Sequence, residues 1–258
     1  MDKKNLMKKC IDYQISQGET PKKKSEVEEF IKNNRNKEYA YMMMEFCEFG
    51  DLDEYIKVNY RDLQKIVPIP ELELIFGQLI ISVIAVHSNN LVHRDLKAEN
   101  VLIKQIKPFL WLKLTDFGCA RNEGGVLITR DKGTPATLHP DVVKGNYSSV
   151  TEIYSLGCIL YYVLYGDYPF PGLSEYERYE KVKEGRFQFN PLPPEYDPFI
   201  KLTKKLLMLG KESFDPIKDK KIIKQKWEHL KGDETFQRCF LAFKNSLEKH
   251  LPMSVFNF

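Results

Sequence analysis

The chain has 258 residues, a formal net charge of +3, 43% hydrophobic and 29% charged residues. That is ordinary globular usage, and it excludes a mainly disordered, collagen-like or polytopic membrane protein. The basic excess is too small to argue for a nucleic-acid partner.

Residues 1–25 are lysine-rich, with Lys3, Lys4, Lys8, Lys9 and the run Lys22-Lys23-Lys24, and read as a solvated face or frayed end. The N-terminus has no apolar core behind it, so no secretory signal is expected. Two strands are predicted over Val27 to Lys32 and Glu38 to Glu45, with Asn33 to Asn36 as the turn. A short helix is predicted from Asp51 to Tyr60. A longer one opens at Pro70, which suits a first turn, and stops at Asn89-Asn90. Its most apolar stretch, Leu74 to Val86, is too short for a membrane span and contains Gln78 and Ser82, so it reads as a buried helix. Short β segments are expected at Val101-Leu102-Ile103 and Leu112-Lys113-Leu114, then mostly loop over 117–149. A second apolar helix runs from Val150 to Tyr165 and is closed by Gly166. Helical stretches alternate with loops around Pro191, Pro193-Pro194 and Pro216. Near the C-terminus, Phe236, Cys239, Phe240, Phe243 and Leu247 fall at helical spacing. The cysteines, Cys10, Cys47, Cys119, Cys158 and Cys239, form no Cys-x-x-Cys pair. Neither a disulfide framework nor a zinc site is indicated, and free thiols in a reducing cytosol are expected.

The chemistry-bearing run is Val92-His93-Arg94-Asp95-Leu96-Lys97-Ala98-Glu99-Asn100, which fits His-Arg-Asp-Leu-x-x-x-Asn at every fixed position. Asp116-Phe117-Gly118 follows, then Gly133-Thr134-Pro135, His139-Pro140-Asp141, and Glu152-Ile153-Tyr154-Ser155-Leu156-Gly157 at the start of the second apolar helix. Each alone could be a turn residue, a surface lysine or a cap. In this order, on compatible predicted elements, they carry a specific signal. From about residue 27 to 230 the chain resembles the eukaryotic protein kinase family, serine/threonine type. The resemblance implies an α+β, two-lobed kinase-like fold with a truncated β-containing N-lobe and a mainly helical C-lobe.

Phosphoryl transfer needs positioning and charge stabilisation more than covalent help. The resemblance implies Asp95 as the base on the attacking hydroxyl, Lys97 as the cation beside the transferring group, and Asn100 and Asp116 as oxygen ligands for Mg2+. Met44-Glu45-Phe46-Cys47-Glu48-Phe49-Gly50-Asp51-Leu52 is similar to the family's hinge. That implies Met44 as gatekeeper, main-chain groups of Glu45 and Cys47 toward adenine, Asp51 at the ribose and Leu102 as pocket floor. Arg94 places the loop with those that answer to activation-loop phosphorylation, and Thr129 is the candidate acceptor. Thr134 matches a position that bonds the catalytic aspartate and lysine. Glu99 matches one that meets basic substrate residues.

The departures lie mostly at the start of the chain. No Gly-x-Gly-x-x-Gly occurs. Phe30-Ile31-Lys32 superficially resembles Val-Ala-Ile-Lys, but only Asn33 to Glu38 separates Lys32 from the hinge strand, too few for the intervening helix and strand. The segment Leu6 to Ser16 falls where the regulatory helix would lie, with Gln14 in place of a glutamate. His139-Pro140-Asp141 stands for Ala-Pro-Glu, and lysines rather than an arginine surround Asp215 to Lys220. The expected organisation is a basic segment over 1–26, an N-lobe remnant over 27–46, a C-lobe over 47–232 and a C-terminal helix and tail over 233–258. The expected function is ATP- and Mg2+-dependent phosphoryl transfer to serine or threonine of a protein substrate, by a cytoplasmic protein with no nucleic-acid partner and no membrane span. The alternatives are a pseudokinase or docking scaffold, or a truncated kinase fragment.

Overall fold

Asp51 starts the first helix because its backbone is extended (φ −103°, ψ 170°) and its side chain accepts from the Glu54 N–H at 2.9 Å. Helix α1, Leu52–Ile56, buries Leu52 and Ile56 on one face. The computed structural model describes residues 44–106, 109–122, 134–139, 142, 148–170, 173–184, 186–209 and 230–250. The basic segment and the expected strand over 27–32 fall outside these residues, as do Thr129, Asp141, the lysines around 215–220 and the tail beyond 250. The chain divides into two units, Met1–Phe46 and Cys47–Phe258. In the first, Met44, Glu45 and Phe46 are described, and they carry no regular secondary structure. The strand expected to reach Glu45 therefore does not include its last two residues.

All that follows belongs to the second unit. The helix expected over Asp51 to Tyr60 is shorter: after Ile56 the chain turns as a π-helix, Lys57–Arg61, with none of its residues buried. Only Tyr60 of this turn packs partly against the core, with its hydroxyl on Glu71. Helix α2, Ile69–Ser88, follows with Pro68 as N-cap. Leu72, Ile75, Phe76, Leu79, Ile80 and Val83 are buried at helical spacing. Asn89 is the C-cap, and Asn90 takes a left-handed φ of 55°. At 20 residues the helix outruns the predicted apolar stretch and is long and apolar enough, by length and composition, to cross a membrane. Yet it is a core element whose Gln78 side chain is spent inside the protein.

That amide is why two strands lie across α2. Strands β2, Val101–Ile106, and β3, Phe109–Leu114, pair antiparallel with Val101 opposite Leu114. Gln78 donates to the Leu110 carbonyl at 3.1 Å and accepts from the Leu112 N–H at 2.9 Å. One side chain thus satisfies a donor and an acceptor that burial would leave costly. Strands β1, Leu91–Val92, and β4, Arg121–Asn122, form a second antiparallel pair.

Helix α3, Ser149–Tyr165, is buried from Ser149 through Leu164 and ends at Gly166, whose φ of 71° suits a residue without a Cβ. Helix α4 spans Glu175–Glu184 and α5 Asp197–Leu209. α5 packs so closely on α3 that a Cβ on Gly157 would lie 3.0 Å from Leu206 Cβ and from the Leu207 nitrogen. Helix α6, Glu234–His250, is capped by Asp233, which accepts from the Thr235 N–H at 3.0 Å and the Phe236 N–H at 3.2 Å. Phe236, Cys239 and Phe243 turn inward, but Phe240 is exposed. The inward face meets α2 at Gly77. Leu72, Phe76, Ile153, Leu156, Phe199, Leu202 and Phe236 belong to one core beneath the loop over 93–100.

Candidate active site

The loop carrying the chemistry is fixed from behind by buried groups. His93 is fully buried; its Nε2 is 2.7 Å from the Thr115 carbonyl and its ring meets Phe117 edge-on at 4.8 Å. Arg94 adopts φ 73°, a left-handed conformation that strains a residue with a Cβ. Its N–H donates to Glu152 Oε1, and Glu152 Oε2 lies 2.8 Å from His87 Nε2. Glu152 and His87 are both buried, so this carboxylate is held by partners on two separate elements. Further along the loop, the Tyr168 hydroxyl accepts from the Ala98 N–H at 3.2 Å and lies 3.3 Å from Glu99 Oε2. Burial pushes the Tyr168 phenol above its ordinary value, so it stays a neutral donor. Its ring stacks on Tyr162 with centroids 5.0 Å apart.

On this base the structure gathers four of the expected residues. Asp95 Oδ1 accepts from Thr134 Oγ1 at 2.9 Å. Asp95 Oδ2 accepts from Asn100 Nδ2 at 3.1 Å and lies 3.2 Å from Lys97 Nζ. Asn100 Nδ2 also donates to the Asp95 main-chain carbonyl at 2.8 Å. The carboxylate is therefore oriented by three side chains, one of them a cation. Asp116 sits beyond this cluster: the Thr115 N–H donates to the Asn100 carbonyl at 2.9 Å, which sets Asp116 beside Asn100 in the chain path. Asp116 itself is left-handed, at φ 59°, exposed, and accepts from the Gly118 N–H at 3.3 Å.

A second cluster joins Asp51 and Leu102. They form an antiparallel bridge, flanked by Phe49 N–H to the Ile103 carbonyl at 3.2 Å and Ile103 N–H to the Gly50 carbonyl at 2.9 Å. Cys47, which is in no disulfide, lies just before this bridge. Met44 and Glu45 belong to the first unit. Thr129 is outside the described residues.

Sequence reasoning assigned no contact to His87 or Tyr168 and treated Glu152 only as a helix-start substitution. A signal existed for Glu152: an acid at the head of an otherwise apolar helix must find partners or pay a large desolvation cost. Nothing local marks Tyr168, whose contact with Ala98 spans 70 residues of chain.

The protein kinase domain family matches residues 15–225, and the chain belongs to that family. The chain is 32% identical to serine/threonine-protein kinase RAD53 of Saccharomyces cerevisiae over 170 residues, covering 60% of this chain and 20% of that protein. It is 33% identical over 159 residues to serine/threonine-protein kinase 33 of Bos taurus, covering 58% and 32%. It is 33% identical over 186 residues to calcium-dependent protein kinase 4 of Plasmodium berghei, covering 70% and 33%. The matched part spans a fifth to a third of the length of these relatives.

Proposed function

We propose that the chain transfers the γ-phosphoryl group of ATP to serine or threonine hydroxyls of proteins. The observation that carries this reading is the Asp95 carboxylate held by Thr134, Asn100 and Lys97. In the step, the acceptor oxygen forms a bond to the γ-phosphorus, the bond from that phosphorus to the bridging oxygen breaks, and ADP departs. The acceptor proton passes to an Asp95 oxygen. The Lys97 ammonium stands where it can offset negative charge on the phosphoryl oxygens. Thr134 and Asn100 fix the carboxylate's rotation, so that little reorganisation is needed at the moment of transfer.

The residues present suit a divalent cation of the magnesium type. Asn100 turns its Nδ2 to Asp95, which leaves its amide oxygen as a hard donor, and Asp116 offers an exposed carboxylate. Such an ion, when bound, neutralises phosphate charge. Asp51 and Leu102, brought side by side, are assigned to the nucleotide, together with Met44 and the main chain of Glu45 and Cys47. Arg94 and Thr129 are assigned to regulation by loop phosphorylation. Cys47, Cys119, Cys158 and Cys239, none of them in a disulfide, suit a reducing, cytoplasmic compartment.

The test is transfer of labelled γ-phosphate from Mg-ATP to a generic basic protein by the parent chain and by Asp95→Asn. Transfer by the parent and its loss in the variant is the expected result. No transfer by either, with nucleotide or partner binding retained, would support the scaffold reading.

A further inference from the structure

A cavity of about 520 Å3 opens beside Pro169 and Phe170, the two residues that follow Tyr168. Pro169, Phe170, Leu173 and Phe187 line it, with Lys181 and Arg186 as its cationic groups. The Phe170 and Phe187 rings lie 5.3 Å apart at an interplanar angle of 33°. Lys181 Nζ stands 6.0 Å from the Phe170 centroid. The Arg186 N–H closes the end of α4 on the Lys181 carbonyl at 3.1 Å, which sets the two cationic residues in fixed register. Gln188 completes the lining, and its carbonyl is held by the Tyr161 hydroxyl at 2.9 Å.

We propose that this cavity is a docking pocket for a protein segment carrying an aromatic side chain flanked by carboxylates. Phe187 and Leu173, both partly exposed, offer apolar surface against which an aromatic anchor packs edge-to-face or offset. Among the described residues the lining contains two cations and no acid, so a carboxylate beside the anchor meets complementary charge. The acids nearby lie outside the lining: Glu184 Oε2 is 3.2 Å from Arg186 Nε, and Glu177 sits one turn before Lys181 and feels its charge. Arg186 keeps further guanidinium donors after that contact, since it has five in all. A lysine-flanked anchor would instead meet two like charges.

The pocket is coupled to the catalytic loop by one residue. Pro169 and Phe170 follow Tyr168 directly, and the Tyr168 hydroxyl holds the Ala98 N–H. A segment docked here therefore contacts residues adjoining the one that holds the loop at Ala98. That the docked protein is also the phosphoryl acceptor rests on the kinase reading above; the docking itself does not.

The experiment is a fluorescence-anisotropy titration of the full chain, without ATP. Three fluorescein-labelled probe peptides are used: one with a central Phe between aspartates, one with that Phe replaced by Ala, and one with Phe between lysines. The Asp-flanked Phe peptide is expected to bind about tenfold tighter than either other probe. In Arg186→Glu that preference collapses or inverts. Arg186 is 76% exposed at its side chain, so this variant folds, and an unchanged melting curve verifies it. Lys181→Glu repeats the test at the other cation. No binding of the Asp-flanked peptide, equal binding of the Ala peptide, or an affinity indifferent to both variants overturns the proposal. A serine placed downstream of the docking segment then reads the second claim: binding without phosphorylation, in a chain that does phosphorylate the generic basic protein, overturns the claim that the docked protein is the acceptor and leaves the pocket standing.

Discussion

Glu152 Oε2 lies 2.8 Å from His87 Nε2 while Glu152 Oε1 takes the N–H of Arg94, so one buried carboxylate ties α2, α3 and the catalytic loop together. Arg94 is held there in a left-handed conformation that it would otherwise leave. Replacing Glu152 by Gln keeps the volume but turns a donor toward one of two partners that need an acceptor. We expect kcat to fall about tenfold or more with the KM for ATP little changed, because the loop and not the nucleotide contacts is disturbed. A KM that rises while kcat holds would show that Glu152 does not act through the loop. Steady-state kinetics on Glu152→Gln decides it.

Thr134 orients Asp95 from the opposite side, at 2.9 Å. Thr134→Val is nearly isosteric and removes the donor. Its kcat is expected to drop about tenfold. Thr134→Ser restores the hydroxyl and should recover most of the rate. Equal activity in the Val and Ser variants would exclude the positioning role.

Gly77 lets α6 lie directly on α2. A Cβ there would stand 2.5 Å from the Cys239 carbonyl oxygen and 3.2 Å from Phe243 Cβ. Backbone cannot yield as a side-chain tip can, so Gly77→Ala should cost about 1–3 kcal/mol despite the higher helix propensity of alanine. The midpoint of urea unfolding reads this cost. A stabilised Gly77→Ala would mean that the two helices separate easily.

Asp233 carries the pH dependence of the C-terminal helix. Burial alone would raise its carboxyl, but hydrogen bonds from Lys205 and from the Phe236 and Thr235 N–H groups outweigh this and hold it below its ordinary 3.8. A group depressed on folding adds stability above its unfolded value and loses it as pH falls through the folded one. Asp233→Ala should therefore cost about 1 kcal/mol at neutral pH, the usual worth of an N-cap. The gap between parent and variant should close as pH drops below 3.8. A gap that is constant down to the acid limit would assign the loss to packing. Thermal unfolding across pH 7 to about 2 separates the two.

Much of the second unit was legible before its coordinates. Pro70, Asn89 and Gly166 mark helix boundaries within a residue or two, because proline geometry and left-handed caps are local properties. The residues gathered around Asp95 were legible for a different reason: their types and order follow the motifs of the protein kinase family. The contacts that hold them were not. Tyr168 and Ala98, and His87 and Glu152, meet through long loops of chain, and no local pattern announces such pairs. The exposed Phe240 shows the same limit, since helical spacing gives a stripe but the neighbours decide which edge of it is covered. The π-helical turn after Ile56 was equally illegible, as its residues have ordinary helix propensities.

Gln78 makes α2 readable as an interior helix, but only while the hairpin over 101–114 and the helix over 234–250 lie against it. An expression fragment ending before residue 234 would leave the Gly77 face of a 20-residue greasy rod bare. Such a fragment should be recovered in detergent or inclusion bodies rather than from buffer. Domain boundaries for recombinant work are thus set at the C-terminal side by a glycine far upstream.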